Sequence, residues 1–347
     1  MKQLKPLKVL RQLHYLLMVV AAICILWVLI VNFIPSATSA ANRENSLQSQ
    51  SHQAQLKPKV TPTSTNKWYP SKYGAADEIG AANILTPELV KKAAGLVTEG
   101  RVYALGLEIN ENTPGYPPRK MEHYVLQTIG TNYNNNDDII FGSLNVGTQI
   151  DGLAHLGIDG VFYNGNRAED FVQMDGLKKL GVEKIPPLVT RGVMLDIAGY
   201  KGVEMLQGGE VITVADIEGA AGQQQVIIRQ GDVVLLHTGW LSLVDKNKEK
   251  FIQQEPGPGI EAAEYLAARG VVAVGGDTSR LEADPHEKPG LFFPVHQILL
   301  AKNGIYILEN INTSVLVKAD VHEFLFVLGQ PRFTGATQTI INPVAIR

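Results

Sequence analysis

The chain reads as an α/β domain of the mixed α+β kind, and three observations carry that reading. Apolar strands recur: Val233-Val234-Leu235-Leu236 follows the turn at Gly231-Asp232, Val271-Val272-Ala273-Val274 is wholly apolar, and Ile305 to Ile311 needs cover on both faces. Helical segments alternate with them, opening at Thr213-Val214-Ala215-Asp216 and running over Glu261 to Arg269 and Pro294 to Ala301. The composition is globular: 347 residues, 45% hydrophobic and 19% charged, enough for one large core or two small ones.

Net charge is −3, and without a basic excess nothing points to nucleic acid. Cys24 is the single cysteine, so disulfides and thiolate metal sites are excluded and any metal must be held by nitrogen and oxygen.

Lys2, Lys5, Lys8 and Arg11 precede an uncharged, almost wholly apolar run from Tyr15 to Ile34. Twenty residues at helical rise span about 30 Å, enough to cross a bilayer. The positive flank orients the N-terminus toward the cytoplasm. Pro35 ends the run, and Ser36 to Ala41 supplies the small residues that signal peptidase reads. Residues 1–41 are therefore a signal peptide or a membrane anchor, and the rest is expected outside the cytoplasm, periplasmic or extracellular. Residues 42–66 are rich in Gln, Ser, Thr, Lys and Pro and read as a flexible linker.

Order begins near Trp68, and residues 67–347 form the expected folded domain. Thr86-Pro87-Glu88 supplies an N-cap, a proline at the first helical position and an acid in the first turn of a helix to about Leu96. Val102 to Leu107 reads as a strand, Asn110 to Arg119 as a proline-rich loop, Met121 to Ile129 as a strand carrying His123, and Asn132 to Asp138 as a polar turn. Leu177 to Leu180 reads as a helix end and Val193 to Ile197 as a strand. The loop Gly157 to Gly165, with Phe162 and Tyr163, suits either a substrate wall or plain surface.

Between these lies Asn145-Val146-Gly147-Thr148-Gln149-Ile150-Asp151-Gly152-Leu153-Ala154-His155. A core strand has no use for this concentration of polar groups, since each buried one needs a partner. Gln149 and Asp151, two apart on a strand, point the same way. Gly152 lets the chain turn so that His155 can return to the same space. A polar turn with Asp151 capping the next element is the plainer alternative. Glu309 is the other sharp signal: a carboxylate inside so apolar a strand must be protonated, paired or metal-bound. His296 faces either a core or a site.

The central stretch resembles the signature His-x-Gly-Thr-His-x-Asp-x-x-x-His of the cyclase family of metal-dependent amidohydrolases, which includes arylformamidases (kynurenine formamidases) and isatin hydrolases. Gly147, Thr148, Asp151 and His155 match it, whereas Asn145 and Gln149 stand where better-known members place metal-binding histidines. The resemblance continues through Asp77-Glu78-Ile79-Gly80-Ala81-Ala82-Asn83, Thr238-Gly239-Trp240, Asp277 and Ser279, His296 with Glu309, and the tail from Pro331, as in a longer-chain branch of the family. It implies a swivelling β/β/α fold and a divalent metal (manganese, zinc or magnesium) on Asp151, His296 and Glu309, with Asn145 and Gln149 in the remaining ligand positions. His155 is then the general base, and Thr148, Asp277, Ser279, Phe162 and Tyr163 line the substrate pocket. Two carboxylates, one imidazole and two amides favour manganese, magnesium or calcium, with zinc still open.

The function implied is hydrolysis of a small amide, an N-formyl amine or a cyclic amide by a homo-oligomer that meets a membrane only through its N-terminal segment. The rival is an exported, non-catalytic small-ligand-binding protein on the same fold. Asn145 and Gln149 favour the rival, and retention of His155 favours the enzyme. Walker, dinucleotide-binding, nucleophile-elbow and His-Glu-x-x-His motifs are absent from the sequence.

Overall fold

In the computed structural model, residues 67–113 and 115–347 are described. The expected signal or anchor and the linker therefore lie outside the described residues. Among the described residues no helix is long and apolar enough to cross a membrane.

Among the described residues fifteen strands follow in order. They are β1 (Val102–Ala104), β2 (Met121–Ile129), β3 (Asn134–Gly142), β4 (Gln149–Asp151), β5 (Val161–Phe162), β6 (Asn166–Arg167), β7 (Leu188–Asp196) and β8 (Val211–Ile212). After them come β9 (Val233–His237), β10 (Gly257–Pro258), β11 (Ala273–Gly276), β12 (Tyr306–Glu309), β13 (Glu323–Leu328), β14 (Gln338–Ile340) and β15 (Val344–Ile346). Nine build one mixed sheet in the order β1-β15-β13-β7-β9-β11-β12-β4-β14. Its centre, β7-β9-β11-β12, is parallel. Helices Val214–Gln223 and Ile260–Ala268 occupy the crossovers that parallel pairing requires. Every residue of β9, β11 and β12 is buried, as strands covered on both faces should be. Outside that centre, β13 alternates half-buried with buried residues, because one of its faces meets the core.

Capping signals act as the sequence suggests. Thr86 Oγ1 accepts from Leu89 N at 3.3 Å to start the helix Pro87–Ala94. Thr213 and Asp216 form a reciprocal capping box at the start of Val214–Gln223.

Three local expectations are corrected. Val102 to Leu107 shortens to the three residues of β1. Leu177 to Leu180 carries no helix: Leu180 sits at φ +59°, and Lys178 N returns to Phe171 O at 2.8 Å. Asn132 to Asp138 is no turn, since the reversal is Gly130 to Tyr133 and Asn134 already belongs to β3. Two polar residues of β3 find partners across the hairpin. Gln127 Nε2 donates to Asn136 Oδ1 at 3.1 Å, and His123 Nε2 lies 2.6 Å from Asp138 Oδ1.

Candidate metal centre and active site

The site grows from strand register. Strand β4 lies between β12 and β14, both antiparallel to it, with Gln149 opposite Glu309 and Asp151 opposite Gln338. Directly opposed residues share a face, so these four polar side chains meet while Ile150 points into the core at 0% exposure. Gln149 Nε2 donates to Glu309 Oε2 at 2.7 Å, and Gln338 Nε2 donates to Asp151 Oδ1 at 2.5 Å. Beyond β4, Gly152 is tight: a Cβ there would meet Thr337 O at 2.8 Å, so only glycine lets the chain turn so close to β14. The turn, closed by His155 N donating to Gly152 O at 3.0 Å, brings half-buried His155 back over the strand.

The fourth contributor is His296, at the end of the short helix Pro294–His296. Glu282 receives this helix: its carboxylate accepts from Val295 N (3.2 Å) and His296 N (3.0 Å), and Oε1 lies 2.6 Å from His296 Nδ1. With Nδ1 so engaged, Nε2 is left facing Asp151 Oδ2 at 3.6 Å and Glu309 Oε1 at 3.5 Å. Asp151, His155 and His296 each offer a ligand atom, all within 4.8 Å of one another.

Asp151 Oδ2 is fully buried and has no hydrogen-bond partner. A buried oxygen left this way is costly unless something else satisfies it. The neighbouring charges point the same way. Burial and then Asp151 push Glu309 up to about 8. Burial also raises Asp151, but His155 and His296 outweigh it and hold that carboxyl below its usual range. Burial lowers His296, yet Asp151, Glu282 and Glu309 carry it well above the usual imidazole value. An orphaned carboxylate oxygen, a free imidazole nitrogen held from behind by a carboxylate, and a second carboxylate at 3.5 Å fit a divalent cation. Asp151, His296 and Glu309 would hold it, with His155 beside them.

The other expected residues are placed as follows. Asn145 touches Gln338 and the guanidinium of Arg119, and Gln149 spends its amide on Glu309. The polar groups of the five expected pocket residues are committed to the protein itself where they have any. Thr148 Oγ1 donates to Asn310 O (2.7 Å) and accepts from Leu107 N (2.9 Å). The Asp277 carboxylate accepts from Thr238 and Gly239 and sits 3.4 Å from His237 Nδ1. Ser279 Oγ donates to Glu255 at 2.6 Å, a carboxyl that burial pushes up to about 7. Tyr163 is tied by its hydroxyl to Asp77 and Ser71, and Phe162 packs edge-on against Phe171. Phe293 packs T-shaped on His296 at 5.1 Å.

Glu282, Gln338, Phe293 and Arg119 escape a reading of the sequence. Each lies in a loop or a short edge strand without periodicity, and only tertiary contact brings it to the cluster.

A mixed sheet with a parallel centre, bearing a buried carboxylate–imidazole cluster at the end of its fourth strand, defines a class of α+β proteins built to hold a cation. The cyclase family model matches residues 68–283, and the chain belongs to that family. A solved structure described as a novel cyclase is 30% identical, covers 80% of this chain and 96% of its own, and superposes with a TM-score of 0.74. Isatin hydrolase A from Ralstonia solanacearum is 21% identical over 75% of this chain and 97% of its own, with a TM-score of 0.57. Isatin hydrolase A from Labrenzia aggregata, bound to benzyl benzoate, is 19% identical over 74% and 98%, with a TM-score of 0.55. At these identities the two hydrolases share the fold. No curated protein sequence matches the chain.

Proposed function

We propose that the chain is a metal-dependent hydrolase of a small amide, an N-formyl amine or a cyclic amide. The observation that carries this reading is the orphaned Asp151 Oδ2 facing the free Nε2 of His296, with His155 in the same cluster. A divalent cation on Asp151, His296 and Glu309 supplies Lewis acidity, which acidifies water and polarises a carbonyl.

The chain's own residues do the rest. Glu282 fixes the tautomer and orientation of His296. Gln149 and Gln338 hold Glu309 and Asp151 so that one oxygen of each faces His296. Burial lowers the proton affinity of His155, and His296 and Arg119 lower it further, so the imidazole is neutral at pH 7 and able to accept. It takes a proton as water adds to the carbonyl carbon. It returns that proton to the leaving nitrogen as the C–N bond breaks, which yields a carboxylic acid and an amine.

Elemental analysis of protein purified without chelator tests the cation: about one divalent ion per chain is expected. His155→Ala should abolish turnover, a loss of at least roughly a hundredfold for a general base, while metal content stays unchanged. The binding-protein reading is favoured by Gln149 and Asn145 being spent on protein hydrogen bonds. A chain that neither carries nor takes up divalent ions would establish it instead. Export and homo-oligomerisation belong to the same proposal. Export rests on residues 1–41, and assembly is supported by the exposed hairpin discussed below.

A further inference from the structure

Arg119 lies in the loop just before β2; it is half-buried, and its guanidinium meets Asn145. Two arginines of the core are ion-paired: Arg191 with Asp232 and Glu323, and Arg280 with Asp284. Among the described residues Arg119 faces no carboxylate within ion-pairing distance. What it meets is one terminal amide atom of Asn145, 3.0 to 3.3 Å from three guanidinium nitrogens. The same atom lies 2.9 Å from Gln338 Oε1. As oxygen it accepts from Arg119; as nitrogen it donates to Gln338, and it serves one of them at a time. Three guanidinium nitrogens converge on it, so oxygen is the atom that fits there, accepting from Arg119. The guanidinium then has one neutral acceptor and no counter-charge, a costly state for a half-buried cation.

Arg119 N donates to Tyr116 O at 2.9 Å, and the Tyr116 ring lies 5.6 Å from the guanidinium carbon of Arg280, whose neighbour Glu255 acts on Glu309. Arg119 is also close enough to His155 to lower its proton affinity. The site thus has two poles: an acidic one at Asp151, Glu282 and Glu309, and a cationic one at Arg119, with His155 near both.

We propose that Arg119 is the anion anchor of this site, binding the carboxylate of a substrate that carries one close to its scissile amide. The inference rests on the hydrolase reading for the identity of the reacting bond, and on the two poles for the carboxylate. A guanidinium fork matches the two oxygens of a carboxylate in one plane. Anchoring the carboxylate at Arg119 sets which way round the substrate lies, with its amide toward His155. Arg119 binds and orients and exchanges no proton.

The test separates binding from turnover. The metal-loaded full-length chain carrying His155→Ala is titrated by calorimetry with N-formylphenylalanine and with its C-terminal carboxamide, which differ only in the charged group. The acid should bind at least about tenfold more tightly, as expected for a charge-assisted bidentate contact. Adding Arg119→Gln should bring the two ligands to within roughly twofold of each other, leaving the carboxamide affinity and the metal content in place. Arg119→Lys should retain part of the preference, and it serves as the second variant should Arg119→Gln misfold. Equal affinity for acid and carboxamide with Arg119 present overturns the proposal. So does a preference that survives Arg119→Gln, because the cation would then be taking the carboxylate. Absence of turnover by the unaltered chain on any amide would refute the hydrolase reading and leave these binding results standing.

Discussion

At the scale of single residues, the site is a contest over protons. Glu309 is pushed up to about 8, chiefly by burial and Asp151, and His296 is also raised. A cation binding to this pair must displace the protons they hold. The sign follows: apparent metal affinity rises with pH through about 8, where Glu309 ionises, and goes on rising until His296 has also lost its proton. Metal titrations at a series of pH values between neutrality and the alkaline side check this, and a falling affinity would contradict it. Glu282 acts through His296. Glu282→Gln keeps the shape but weakens the acceptor at Nδ1. It should cost about 10- to 100-fold in metal affinity, read by competition with a chelator. An unchanged affinity would remove Glu282 from the metal-holding machinery.

At the scale of elements, strand register decides which groups meet. A one-residue slip of β4 would send Gln149 and Asp151 into the core and bring Ile150 to the site. Burial of Ile150 on one side, and pairing with β12 and β14 on both edges, hold the register. The hairpin β2–β3 is the opposite case. It leaves Tyr124, Val125, Leu126, Ile129, Ile139, Ile140 and Phe141 exposed on a free two-stranded ribbon. Such a ribbon is marginal alone in water, and so large an apolar surface calls for cover. A second copy of this chain is the occupant the homo-oligomer expectation names. Replacing Leu126 and Ile140 with Lys should therefore lower the mass measured in solution by light scattering, and an unaltered mass would put the interface elsewhere.

At the scale of the molecule, one core extends from Ala81 to Ala345 through the nine-stranded sheet. The last strands are integral to it: β14 supplies Gln338 to the site, and β15 joins β1 to β13. A chain beginning at residue 67 should accordingly unfold in one cooperative transition and keep its metal, as followed by calorimetry. A truncation before β14 should lose both, because it removes the partner of Asp151 and leaves β4 an open edge.

The parallel centre of the sheet was legible because strands buried on both faces leave continuous apolar runs in the sequence, as in β9 and β12. Helix starts at Thr86 and Thr213 were legible because capping is local chemistry. Gln149, Asp151 and Glu309 stood out since polar groups inside apolar strands demand partners. The site's supporting contacts were not legible. Glu282 meets His296 across 14 residues, Gln338 meets Asp151 across 187, and Arg119 reaches Asn145 from a loop without pattern. The strand character of β3 was hidden as well, since its polar residues find partners only once the hairpin forms, Asn136 and Asp138 across it and Asn135 with Asp137 along it. What the sequence by itself determined is thus what local periodicity and local hydrogen bonding encode: the strands, the caps and the misfit polar residues. Which oxygen remains unpaired, which imidazole nitrogen is free, and where an unpaired guanidinium stands beside them were decided by tertiary structure, because each depends on partners that only the closed sheet brings together.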